Sequence, residues 1–380
     1  MLFMPIVVPF YQSNGLGMQE VLILQGIYSV TIVILEIPSG YFADVLGRKR
    51  TIILGSFMGF FGFLTYSVSF GFWGFLLAEV ILGIGQSLIS GADSAMLYDT
   101  LLDLKKEKKY IKYEGRLTSL GNIAEAIAGT LGGLLAGISL RSPYIAQTMI
   151  AFIGIPAAIS LIEPARHKRM LDMRFRDIID IVKIALFRDK TLQKNILFSS
   201  IIGTSTLTMA WFVQPFLQKV EIPIELFGFI WTALNLTVGL VALIAYRIEM
   251  RLGQRNSLIL ITLLIPGGYF ALSQSGSIPA ISILFLFYMV RGFATPVLKD
   301  YIHKLTGSEI RATVLSVRNF IIRLNFALIG PFLGWYTDYF SLSQALFLAG
   351  ILFFIFSGIT LLLFIIEMKH QKKHARHDDE

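Results

Sequence analysis

The chain has 380 residues, 55% of them hydrophobic and only 15% charged, well under the roughly 25% charge of soluble domains. Much of it must therefore face lipid. The absence of cysteine excludes disulfides, thiol catalysis and Cys-ligated metals. The net charge of +8 raises nucleic acid as a partner, which the placement of the basic residues argues against.

Apolar runs predict an all-α membrane protein of twelve spans, at 1–12, 19–42, 51–71, 74–98, 116–138, 144–163, 192–215, 226–246, 256–274, 278–298, 313–335 and 342–366. A crossing helix needs about 20 apolar residues. The first span is too short for that and reads as the second half of a helix whose beginning is absent, so about 10–15 upstream residues are expected.

The basic residues give the orientation. One set of loops, with the tail, holds 28 of the 33 Lys and Arg, including Arg48 to Arg50, the run from Lys105 to Arg116 and the run from Arg166 to Lys194. The opposite loops hold only Arg141 and Lys219. The positive-inside rule then puts the basic loops and the C-terminus in the cytoplasm, with the chain in the inner membrane. The charge is a topology signal, not a nucleic-acid patch.

Leu171, Phe175, Ile178, Val182 and Leu186 recur at helical spacing among Arg174, Arg176, Asp180 and Lys183, which predicts a helix lying on the membrane surface. The expected organisation is a six-helix half at 1–165, an amphipathic linker at 166–191, a second six-helix half at 192–368 and a cytoplasmic tail at 369–380. The halves repeat weakly. Gly91 to Asp99 matches Gly292 to Asp300, Gly47-Arg48-Lys49 matches Gly253-Gln254-Arg255, and Asn122, Gly133 and Gly137 match Asn319, Gly330 and Gly334. Three matches in one order, about 200 residues apart, point to duplication.

After the second span comes Gly40-Tyr-Phe-Ala-Asp44-Val-Leu-Gly47-Arg48-Lys49-Arg50. It resembles the G-x-L-A-D-x-x-G-R-K signature of bacterial transporters of the major facilitator superfamily, and the two-times-six plan agrees. Gly40 suits a close helix approach. Asp44 and Arg48, four apart, can pair on a helix, and Asp99 at the end of span 4 can join them. The resemblance implies that Gly40, Asp44, Gly47, Arg48, Lys49 and Asp99 gate the cytoplasmic side. The plain alternative is a basic loop that only fixes topology. The chain departs from drug antiporters of the family at Glu79, where they often carry Arg, and at Gly129 to Gly133, which lacks their Gly-Pro pair. Small residues form stripes on span 4 (Gly83, Ser87, Gly91, Ala95) and span 5 (Gly129, Gly133, Gly137), as close helix packing requires.

Charges inside the bilayer are costly and normally face a cavity or a partner. Glu79, Gln86 and Asp93 form one stripe on span 4; Thr118, Asn122 and Glu125 form another on span 5. Tyr288 and Arg291 lie on span 10, and Asn319 and Arg323 on span 11, with Arg318 nearby. Together Glu79, Gln86, Asp93, Asn122, Glu125, Tyr288, Arg291, Asn319 and Arg323 are the candidate substrate or proton pathway. The acidic members lie in the first half and the basic ones in the second. Glu125 is expected to meet Arg323 or Arg291 in at least one state, and to load and release a proton as its exposure alternates. Glu36, Glu79 and Arg318 also admit packing or snorkelling roles.

No His lies inside a span, no nucleophile–base or metal-ligand set recurs, and no phosphate-binding G-x-x-x-x-G-K-[ST] is present. His370, His374 and His377 read as a polar tail. The expected function is proton-coupled secondary transport of a small organic solute by alternating access, with a preference for efflux. The alternatives are import or uniport of an anionic or zwitterionic solute, and a sensor that transports nothing. No enzyme activity and no cofactor are expected. The expected partners are the bilayer, a small-molecule substrate and protons.

Overall fold

A computed structural model describes residues 1–106, 109–164, 183–306 and 311–377. Among these the chain is helical throughout. After a 3-10 turn at Met4–Ile6, the helices are α1 (Val7–Ser13), α2 (Met18–Leu46), α3 (Arg48–Val68), α4 (Gly71–Asp103), α5 (Tyr110–Ile138) and α6 (Ser142–Ser160). A π-helical turn at Ile184–Arg188 leads to α7 (Lys190–Lys219), α8 (Ile224–Ser273), α9 (Ile281–Lys304), α10 (Arg311–Tyr339) and α11 (Leu342–His377). Among the described residues, ten helices are long and apolar enough to cross a membrane. One of them, α8, is two crossing segments joined at Gly253, so spans 8 and 9 of the sequence reading are both present. Of the surface helix expected at 166–191, residues 166–182 lie outside the described residues.

Gly253 and its repeat partner Gly47 explain two of the helix boundaries. Gly47 has φ 103° and ψ 151°, and Gly253 has φ 72° and ψ 164°. Only glycine adopts such values without strain. Each breaks a helix at the end bearing the basic loops, and the next helix starts on the following residue.

The chain divides into two compact units, one of residues 1–170 and 221–232, the other of 171–220 and 233–380. The first half expected at 1–165 therefore gains a segment from beyond the linker. The reason is the glycine stripe of α5. A methyl group at Gly133 would come within 2.7 Å of the Gly228 nitrogen, and one at Gly137 within 2.8 Å of Glu225. Thr232 Oγ1 donates to the Ala126 carbonyl at 3.1 Å and lies 3.2 Å from Thr130 Oγ1. In the same unit α4 is the central helix. Its Gly83 faces Thr31 of α2, and its Gly85 lies against Gly55 of α3, the close packing expected of a small-residue stripe.

In the second unit α7 is central, with α9, α10 and α11 around it. It is apolar on average yet buries Ser199, Ser200, Thr204, Ser205, Thr206 and Thr208. Thr204, Ser205 and Thr206 return their hydroxyls to backbone carbonyls of their own helix, as Thr204 does to Ser200 O at 2.8 Å, and Ser200 Oγ lies 3.4 Å from the Arg318 carbonyl of α10. This lets those short polar side chains pack in an apolar helix, while the Thr208 hydroxyl is buried with no partner.

The two basic residues of the weakly charged loops are both tied down. Arg141 donates to the carbonyls of Tyr66, Ser67 and Ser69 at 3.2, 2.9 and 3.0 Å and to Asn14 Oδ1 at 2.9 Å. Its guanidinium also stands 4.2 Å from the Phe70 ring centre, and burial lowers its pKa from the ordinary value. Lys219 donates to Ser275 O at 2.8 Å and Ser343 Oγ at 2.7 Å. Both clasp helix ends together.

Candidate functional site

Among the described residues of the first unit, the buried carboxyl group is Glu79, 4% exposed on α4. Tyr11 of α1 donates its hydroxyl to Glu79 Oε1 at 2.7 Å, and Gln25 Nε2 of α2 donates to the same oxygen. The Tyr11 and Tyr66 hydroxyls are 2.5 Å apart. Because the Tyr11 proton goes to Glu79, Tyr66 is the donor in that pair, and the order of donation runs Tyr66, Tyr11, Glu79. Aromatic rings wall the cluster. Tyr66 stacks on Phe75 and Tyr144, 5.6 and 5.2 Å between centroids, and Phe10 meets Tyr144 at 4.1 Å. The Tyr144 hydroxyl is buried with no hydrogen-bond partner. Every described partner of Glu79 is neutral.

The position of Glu79 is a result of depth. It shares a helix face with Gln86 and Asp93, seven and fourteen residues on, but those two are exposed. At the level of Glu79 that face is covered by α1 and α2. The sequence showed the stripe but not this cover. It also missed Tyr11, Gln25 and Tyr66, since a buried Tyr on an apolar helix reads as core.

Glu125 is half-buried on α5. Its described partner within its own unit is the amino group of Met1. Asn122 is exposed one turn before it, and the side chain of Thr118 lies outside the described residues.

The gating motif is partly visible. Arg48 Nε lies 3.4 Å from Asp99 Oδ2, both side chains 23% exposed. The side chains of Glu36 and Asp44 and the surroundings of Gly40 lie outside what is described, so the expected Asp44–Arg48 pair is not described. Sequence reading missed Glu163. Its two carboxylate oxygens accept the backbone N–H groups of Arg48 and Lys49, each at 2.8 Å. They fill the role of a helix N-cap, which Gly47 cannot supply. In the second unit the repeat has diverged: Asp300, matching Asp99, pairs with Lys304 at 2.6 Å on its own helix.

Tyr288 on α9 is 2% exposed, and its hydroxyl has no hydrogen-bond partner. Arg291 and Arg323 are half-buried, and Asn319 is exposed. Arg318 is 5% exposed and donates from Nε to Ser199 Oγ and from Nη1 to Asn319 Oδ1 at 3.1 Å. Among the described residues no group of three or more metal-ligating side chains occurs.

Comparison with known proteins accords with this architecture. The family model described as Major Facilitator Superfamily matches residues 1–321. The chain is 23% identical over 365 residues to the uncharacterized MFS-type transporter YxaM of Bacillus subtilis, covering 90% of this chain and 86% of that one. It is 30% identical over 165 residues to the inner membrane transport protein YajR of Escherichia coli, covering 42% and 35% of the two chains. Among solved structures, a mutant of the nucleoside transporter NupG superposes with a TM-score of 0.79 at 14% identity, over 96% of this chain and 94% of that one. A bacterial homologue of the human lysosomal transporter Spinster, inward-facing and occupied, gives 0.74 at 15% identity, over 97% and 92%. The chain belongs to the major facilitator superfamily of membrane transporters.

Proposed function

We propose that this transporter is proton-coupled and moves a small organic solute by alternating access, with its basic loops and tail in the cytoplasm of a cell whose inner membrane holds it. The observation that carries the reading is Glu79, a carboxyl group buried among Tyr11, Tyr66 and Gln25 with no cation among its partners. Burial away from water opposes its charge, while the converging donors favour it. With these two effects opposed, a change in helix packing decides whether the proton is held. The hydroxyls of Tyr66 and Tyr11 form a path of the kind that passes a proton.

A second reading is transport of an anionic or zwitterionic solute. It is favoured by Tyr288, whose unpartnered hydroxyl sits in the electrostatic range of Arg291. Efflux is the preferred direction. One relative, 24% identical over 162 residues, bears the name Multidrug resistance protein 2 of Bacillus subtilis.

The test begins with a thermal-shift screen for a stabilising solute, since a ligand stabilises the state it binds. Nucleosides and lipophilic drugs are the first panels. Flux of that solute is then followed in proteoliposomes with and without a pH gradient. Glu79→Gln should abolish acceleration by the gradient and keep solute exchange. Gradient-driven flux that survives in Glu79→Gln would sink the assignment, and no flux of any stabilising solute would favour the sensor.

A further inference from the structure

We infer that the second unit holds a binding site for a small monoanion of carboxylate size, centred on Arg318. The inference does not depend on what is transported. Arg318 is 5% exposed on α10, seven residues or about 10 Å from the start of that helix. A guanidinium cannot give up its charge. Burying one is therefore costly unless acceptors or an anion compensate.

The compensation described is incomplete. Nε is matched by Ser199 Oγ of α7 and one Nη1 hydrogen by Asn319 Oδ1, both neutral oxygens. The second Nη1 hydrogen and both on Nη2 have no described acceptor. No carboxylate among the described residues pairs with this side chain. The neighbours add donors, not acceptors. Ser199, having accepted from Arg318, keeps its own O–H to give. Lys299 on α9 brings a second positive charge within electrostatic reach. Three helices thus place a surplus of donors and positive charge around one buried point. What is missing is an acceptor with negative charge. A carboxylate fits best, because its two oxygens match the paired N–H groups of the guanidinium fork.

The same three helices seal the point toward the basic loops. Leu192 and Ile196 of α7, Ile302 of α9 and Val314 of α10 form an apolar cluster no more than 2% exposed. Ile196, Ile302 and Val314 each lie about one turn nearer the basic end than Ser199, Lys299 and Arg318. The face of α10 that carries Asn319 is exposed. An anion behind an apolar cover meets donors undiluted by water, where each hydrogen bond is worth more than at a surface.

The anion could be a free ion or the carboxylate of a solute, and the test separates them. Chloride or formate replaces a bulky buffer sulfonate at constant ionic strength, and the unfolding midpoint of the purified full-length protein is followed in detergent. A saturable rise of a few degrees is expected in the unmodified protein. A rise with formate alone marks a carboxylate site, and a rise with both marks a site open to free ions. Arg318→Gln should abolish the rise, while Arg255→Gln, exposed at the start of the second segment of α8, should keep it. Should Arg318→Gln fail to fold, Ser199→Ala serves in its place, with the apparent Kd raised about tenfold by loss of one hydrogen bond to a charge. The proposal is overturned if neither anion gives a saturable rise, or if the rise is unchanged in Arg318→Gln or in Ser199→Ala.

Discussion

Glu163 and Arg48 are 115 residues apart in the chain, yet the carboxylate of one accepts the backbone N–H of the other at 2.8 Å. The second oxygen does the same for Lys49. Glu163 therefore caps α3 from outside the helix, and its negative charge faces the positive end of the helix dipole. Glu163→Ala leaves two N–H groups of α3 unmet and should lower stability by about 1–2 kcal/mol. Glu163→Gln, which keeps one acceptor oxygen but not the charge, should lose about half of that. Thermal unfolding in detergent measures both, and equal midpoints for the two variants would contradict the cap.

The gating reading of the motif gives a separate expectation. Arg48→Ala removes the contact to Asp99, and Asp44→Asn removes the charge expected to pair with Arg48. Both should leave the protein inserted while increasing the reactivity of cysteines introduced along the pathway toward a cytoplasmic thiol reagent. Unchanged labelling and unchanged flux in both variants would leave the loop as a topology signal alone.

Arg141 makes four hydrogen bonds to two segments, the end of α3 and Asn14 after α1. Their geometry needs a planar fork of donors, which lysine lacks. Arg141→Ala should cost about 2–3 kcal/mol, and Arg141→Lys should recover little of it. Full recovery by lysine would show that only the charge matters.

Two glycines on α5 should answer the same substitution in opposite ways. Gly133→Ala places a methyl group 2.7 Å from the Gly228 nitrogen and should destabilise by about 1–3 kcal/mol. Gly121→Ala meets nothing within 4 Å and should be neutral or slightly stabilising, through helix propensity. Equal effects at the two positions would mean that α5 does not pack on residues 225–232 as described.

Much of this architecture can be read from the sequence because lipid imposes a simple rule. Apolar runs, basic loops and small-residue stripes each follow from one local cause, and the helices are found where those signals put them. The match of Gly47 with Gly253 was visible as well, and both turn out to be backbone breaks. The candidate sites were less legible. Glu79 stood out as an intramembrane charge, but Tyr11, Gln25 and Tyr66 come from three other helices. Their convergence is a tertiary fact that no helical period encodes. Glu163 was hidden for a similar reason: a cap normally sits beside the helix it serves, and this one arrives from the far end of α6.

Gly47 and Gly253 also bear on how the molecule came to be. The residues around them have drifted far: Arg48 has become Gln254, and Asp300 has exchanged a partner across helices for one on its own. The backbone exception has not drifted. A break kept in both copies while its neighbours changed points to an ancestor of half this length that already carried it. Its helix ended on a glycine, and the next helix began at once.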